Sequence, residues 1–163
     1  MSPADLATAL GVSSDVWDQF ASHWDDLAPD RYAAELSLQR RRRYGRYSFV
    51  DGAATATPDG VFVQPLDSNP LYIDRDRHFK PLTDAFADDP LLPMLLTLLG
   101  NFADALDDVP QWVVKVHPFR VLASADGAGQ PTPEGLHRDG VTLVTSLLVR
   151  RSNAVGGESS VFD

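Results

Sequence analysis

Gln130-Pro131-Thr132-Pro133-Glu134-Gly135-Leu136-His137-Arg138-Asp139-Gly140 leads into an apolar, β-branched run from Val141 to Val149. At its centre, His137 and Asp139 form a His-x-Asp pair. In extended backbone, residues i and i+2 leave the chain on the same side. An imidazole and a carboxylate placed this way at a strand end can hold one metal ion. They supply two of the three ligands of a 2-His-1-carboxylate facial triad. The third ligand is expected to be a histidine on a later strand, and no histidine follows His137 in these 163 residues.

The same motif occurs once more, as His23-Trp24-Asp25. There it falls in a predicted helix, where i and i+2 lie about 200° apart and cannot share an ion. Structural setting, not spacing, separates the two copies. The bland alternative for the later copy is a turn at Asp139-Gly140 with His137 as a capping or surface residue.

Working back from the motif, Ser124 to Gln130 is a polar, Gly-containing loop. Trp112 to Ala123 predicts a long strand, apolar on both faces, with Pro118 marking an edge or a bulge. Lys115, His117 and Phe119 share one face of it by parity. Asp88-Asp89-Pro90 opens a strong helix with acids at its positive end and Pro93 in its first turn. Leu91, Leu92, Leu95, Leu96, Leu98, Leu99, Phe102 and Leu106 give that helix a wide apolar face. Tyr44 to Val50 alternates as a strand with one polar side, and Val61-Phe62-Val63 predicts a second, short one. Asp51-Gly52 and Pro58-Asp59-Gly60 are turn signals. His78, among charged neighbours, reads as a surface residue. Near the start, residues 3–10 suit a short helix. Ser14 suits the N-terminal cap of another, whose apolar stripe is Val16, Trp17, Phe20, Trp24 and Leu27. A third helix is expected from about Asp30 into Arg40-Arg41-Arg42-Arg43.

The expected class is therefore α+β, in one domain over residues 1–163: helical over 1–43, then a helix-backed sheet over 44–163. A formal charge of −9 argues against general nucleic-acid binding, which needs clustered cations. The arginine block is the exception, and it reads as a solvated helix end. The absence of cysteine excludes disulfides and thiolate metal sites. There is neither a twenty-residue apolar run nor a signal-peptide pattern at the N-terminus, so a soluble, cytoplasmic protein is the expectation.

One nitrogen and one anionic oxygen leave most of a metal's positions open. That suits Fe(II) with a bidentate 2-oxo acid and O₂ better than a closed zinc site. The run Pro131 to Gly140, then Leu147 to Arg151, Asn153 and Gly156-Gly157-Glu158-Ser159, resembles the bacterial Fe(II)/2-oxoglutarate dioxygenase family that includes isoleucine dioxygenase. Val116-His117-Pro118-Phe119-Arg120-Val121 resembles the strand that precedes the metal motif there. The resemblance covers Trp112 to Asp163. It implies a double-stranded β-helix, that is, a jelly-roll or cupin-like sheet, backed by helices. It also implies Fe(II), 2-oxoglutarate and O₂ as requirements, with succinate and CO₂ as co-products. The implied activity is hydroxylation of a small molecule, a free L-amino acid above all, with His137 and Asp139 as iron ligands. Glu134 and Arg138 flank the site.

The family's distal histidine and its 2-oxoglutarate-pairing cation have no counterpart here, so the domain reads as truncated by roughly 60–90 residues. His117 as a substitute ligand and Arg120 as a carboxylate partner are the candidates within the chain. The alternative function is a catalytically inactive cupin-like module that binds a ligand or a partner. An unfinished sheet would favour a homo-oligomer or a swapped assembly.

Overall fold

The computed structural model describes residues 3–58, 76–124, 129–133, 135–137, 139–158 and 160. The predicted strand Val61 to Val63, Glu134 and Arg138 lie outside the described residues. The fold mixes helices with antiparallel sheet. Helices α1 (Pro3–Leu10) and α2 (Ser14–Ser22) come first, then a 3-10 turn (His23–Asp26), β1 (Ala28–Pro29), α3 (Arg31–Glu35) and β2 (Arg40–Arg42). Strands β3 (Gly45–Val50) and β4 (Ala53–Ala56) follow, then α4 (Asp84–Ala87), α5 (Leu91–Asp104), β5 (Trp112–Val116) and β6 (Phe119–Val121). Two three-stranded sheets result, in the orders β1-β2-β6 and β4-β3-β5.

The alternation in Tyr44 to Val50 is realised in β3, where Tyr47 and Phe49 are buried and Arg46 and Ser48 are half-exposed. Asp51-Gly52 is a two-residue hairpin loop, since Val50 pairs with Ala53. Both loop residues have positive φ, +49° and +78°. That is the type I′ geometry that matches strand twist and selects Asp-Gly. The loop sets the register of β4, a strand whose Ala-Ala-Thr-Ala composition gives no strong sequence signal.

Helix α5 packs on this sheet. Leu91, Leu92, Leu95 and Leu96 are buried with Trp17 and Phe20 of α2, Tyr47 of β3 and Phe86 of α4. Phe102 and Leu106, expected on the buried face, are instead exposed: the sheet covers only part of the apolar arc. The closest approach is at Gly100, where a Cβ would lie 2.4–2.5 Å from ring carbons of Phe49. Asp89 secures the start of the helix. Its Oδ1 accepts from the Leu91 backbone N–H at 2.9 Å, and its Oδ2 lies 2.8 Å from His23 Nε2.

Three expectations are corrected. The third helix ends at Glu35, and the arginine block runs as strand β2. Asp30 is the reason: buried, it caps α3 through Tyr32 and Ala33 N–H and accepts from Arg40 Nε at 2.8 Å. The strand Trp112 to Ala123 is two strands, split at His117-Pro118, with β5 pairing β3 and β6 pairing β2. Among the described residues β5 exposes one face, at Val113 and Lys115, and in β6 Phe119 and Arg120 are both exposed. Finally, Val141 to Val149 forms no ladder among the described residues. Strand pairing depends on a partner, and this run lies exposed, Val144 at 57% and Leu148 at 65%.

Gly100→Ala should lower stability by about 1–3 kcal/mol, the cost of overpacking. The roughly 1 kcal/mol of helix propensity gained by alanine is too small to reverse the sign. Urea unfolding midpoints of the two proteins provide the measurement, and a stabilised variant would contradict the packing described.

Candidate metal-binding site

His137 and Asp139 lie together after the turn at Gly135. His137 Nδ1 is 2.8 Å from the Gly135 carbonyl oxygen. A carbonyl only accepts, so this bond puts the hydrogen on Nδ1 of the neutral ring and leaves a lone pair on Nε2. Metal-ligating histidines commonly have this arrangement, one ring nitrogen orienting the side chain through a backbone carbonyl. Nε2 lies 3.5 Å from Asp139 Oδ1. At that separation both atoms can reach one ion at about 2.1 Å. The residues present therefore fit a metal's first two ligands. No group of three His, Asp or Glu side chains among the described residues is placed to hold an ion.

The earlier motif copy is used differently. His23 pairs with Asp89 and stacks on Phe86, with ring centroids 4.6 Å apart. Asp25 pairs with Arg120 at 3.1 Å and lies 3.6 Å from Arg150. Its two side chains thus serve different neighbours, as helical geometry requires. Arg120, considered as a carboxylate partner, is engaged by Asp25. His78 is exposed, and its backbone N–H donates to the Tyr32 hydroxyl.

His117 belongs to neither pair. Its Nδ1 contacts the Arg42 guanidinium, and its ring lies 5.0 Å from that of Tyr44. Burial, then Arg42, Lys115, Arg77 and Arg40, hold its pKa well below the ordinary value of 6.5. The ring is therefore a neutral acceptor among cations, a setting that repels a metal ion. No local pattern announces this cluster, because Arg40, Arg42, Arg77 and His117 come from segments far apart in the chain, β2 being brought near His117 by its pairing with β6.

These features sit in a chain with clear relatives. The model of the 2OG-Fe dioxygenase family matches residues 21–163, and the chain belongs to that family. It is a family of oxidoreductases that use Fe(II), 2-oxoglutarate and O₂. A bsmA homolog from Methylobium petroleophilum PM1 has a similar structure, with a TM-score of 0.75 at 32% identity over 86% of this chain and 57% of that one. IDO from Bacillus thuringiensis shares the fold at a TM-score of 0.60 and 20% identity, over 78% of this chain and 53% of that one. The chain thus spans little more than half the length of either relative. No curated protein matches it. No helix among the described residues is long and apolar enough to cross a membrane.

The depressed pKa of His117 has a stability consequence with a definite sign. Above about pH 6.5 the ring is neutral folded or unfolded. Below it the unfolded chain takes up the proton first, so stability falls as pH drops toward the folded pKa. The ring resonances of His117 should stay fixed between about pH 7.5 and about pH 5.5. His117→Gln should flatten the acid limb of the stability curve. A ring titrating at its ordinary value would contradict the burial described.

Proposed function

We propose that the protein is a non-haem iron, 2-oxoglutarate-dependent dioxygenase that hydroxylates a small molecule, with free L-amino acids as the substrate class. The observation that carries this reading is the His137–Asp139 pair in a chain of the 2OG-Fe dioxygenase family. The amino-acid class rests on the resemblance of Trp112 to Asp163 to the family that includes isoleucine dioxygenase. In this reading His137 Nε2 and a carboxylate oxygen of Asp139 hold Fe(II). Residues 1–163 form part of one dioxygenase domain, and the two sheets are part of a cupin-like jelly roll. A cytoplasmic location is part of the same reading.

Bound there, iron with 2-oxoglutarate and O₂ supplies the oxidising chemistry, giving succinate, CO₂ and a hydroxylated substrate. The chain's own residues do the positioning. The Gly135 carbonyl fixes the ring of His137 through Nδ1, so Nε2 presents a lone pair without a proton to displace. Asp139 adds the negative charge that favours a divalent cation over a water molecule at the same place.

A second reading, association through an open edge, is favoured by the exposed apolar run around Val144 to Leu148. It would act through a homo-oligomer or a swapped assembly. Light scattering across a concentration series decides it, a mass that stays monomeric being the result against it.

The enzymatic reading is tested by incubating the protein with Fe(II), 2-oxoglutarate and an amino-acid panel while following succinate. Succinate and a product heavier by one oxygen are expected where a third iron ligand and a 2-oxoglutarate-pairing cation complete the site, and little or no turnover from residues 1–163 as an isolated monomer. His137→Ala and Asp139→Ala should each reduce turnover and Fe(II) binding to background. Equal turnover in either variant would remove these residues from the iron site.

A further inference from the structure

One carboxylate holds both flanks of the segment that carries His137 and Asp139. Asp25 lies in the 3-10 turn His23–Asp26 after α2. Its Oδ1 accepts from Arg120 Nη1 at 3.1 Å, and its Oδ2 lies 3.6 Å from Arg150 Nη1. Arg120 is in β6, ahead of the His137-Arg138-Asp139 motif, and Arg150 follows the apolar run behind it. Two guanidinium groups brought this close repel each other, and the carboxylate between them offsets that repulsion.

Backbone pairing does not do this work. Between described residues, no backbone hydrogen bond joins the chain after Ser124 to another element. Beyond Arg150 the chain turns back on itself. Arg151 donates to the carbonyls of Ala154 and Gly156, and Asn153, Gly156 and Gly157 have positive φ, at +50°, +72° and +72°. The turn brings Gly157 against Pro131, so that a Cβ there would lie 3.8 Å from the proline Cγ. The loop is thus closed at its base by Asp25 and again beside the start of the motif. An open loop loses conformational entropy when an ion draws its two donors together, and a loop already closed loses less.

We propose that Asp25 is a positioning residue, clasping Arg120 and Arg150 so that the loop bearing His137 and Asp139 is closed before a metal ion binds. What the loop is for rests on the iron reading; the clasp itself is measured without metal. Asp25 acts through the two arginines, not on the ion. The side chains of Asp25, Arg120 and Arg150 are 56%, 47% and 53% exposed. Water and salt therefore screen the pairs, and each is worth a factor of about two to five, not orders of magnitude. The earlier His-x-Asp copy thereby serves the later one: its geometry cannot hold an ion, and it lends its carboxylate to the loop of the other pair.

Limited trypsin digestion of the metal-free protein reads the clasp, because the bond after Arg150 is cut only when that side chain leaves Asp25 for the protease. Asp25→Asn should speed cleavage there by about two- to fivefold. Asp25→Glu, which keeps the carboxylate, should restore the slow rate, and circular dichroism checks that both variants are folded. Mn(II) binding, followed by electron paramagnetic resonance, reads the positioning. Asp25→Asn and Arg150→Gln should each weaken it by about two- to fivefold, and the double variant no further than Asp25→Asn alone. Equal cleavage rates in Asp25→Asn and the unaltered protein overturn the clasp, as do additive losses in the double variant. Mn(II) binding lost in His137→Ala but untouched in Asp25→Asn overturns the positioning role. Mn(II) binding that is absent, or indifferent to His137→Ala, removes the iron reading instead, and the cleavage rates still decide the clasp.

Discussion

Proline at position 118 sets the constraint on which the arrangement of the two sheets depends. It has no N–H to donate, so a single run from Trp112 cannot continue one ladder through it. The chain answers by changing partners. Before the proline, Trp112–Val116 pairs with β3; after it, Phe119–Val121 pairs with β2. The carbonyl of Pro118 remains usable and accepts from the Arg43 N–H at 3.1 Å. One residue thereby joins both sheets and sets His117, just before it, against Arg42 of the neighbouring strand.

Polar groups do much of the joining around this corner. Asp30 serves three donors at once, two at the start of α3 and one on Arg40. Asp89 takes one such donor at the start of α5, the Leu91 N–H, while holding His23. Buried ion pairs add little net stability, because desolvation offsets their attraction, yet breaking one leaves an uncompensated charge. Their main effect is to specify where elements meet. Arg43 adds a third tie through the Asp26 and Pro81 carbonyls. The arginine block is thus wired into the fold residue by residue, and its charges face inward-lying partners as much as solvent.

The two His-x-Asp copies show how geometry, not composition, decides chemistry. In the helical turn after α2 the two side chains diverge to Asp89 and to Arg120. After Gly135 they converge to 3.5 Å, with the imidazole held through its other nitrogen. Only the second arrangement offers a cation two donors on one side. This pair and the cationic corner at His117 have opposite electrostatic character.

The sequence by itself determined what depends on local periodicity and turn chemistry. The α5 helix, the alternation of β3, the Asp51-Gly52 turn and the divergence of His23 from Asp25 all follow from residues within a few positions of one another. What tertiary structure decided depends on partners distant in the chain. Arg40–Arg42 is a strand because Asp30 and β6 receive it, against a helical expectation. The break at Pro118 could be anticipated, but not that each half would join a different sheet. The apolar run Val141 to Val149 has β-branched composition but no ladder among the described residues, because pairing needs a second strand. The cluster around His117 has no local signature for the same reason: its four cations, spread from position 40 to 115, come from separate segments that only the folded sheets bring together.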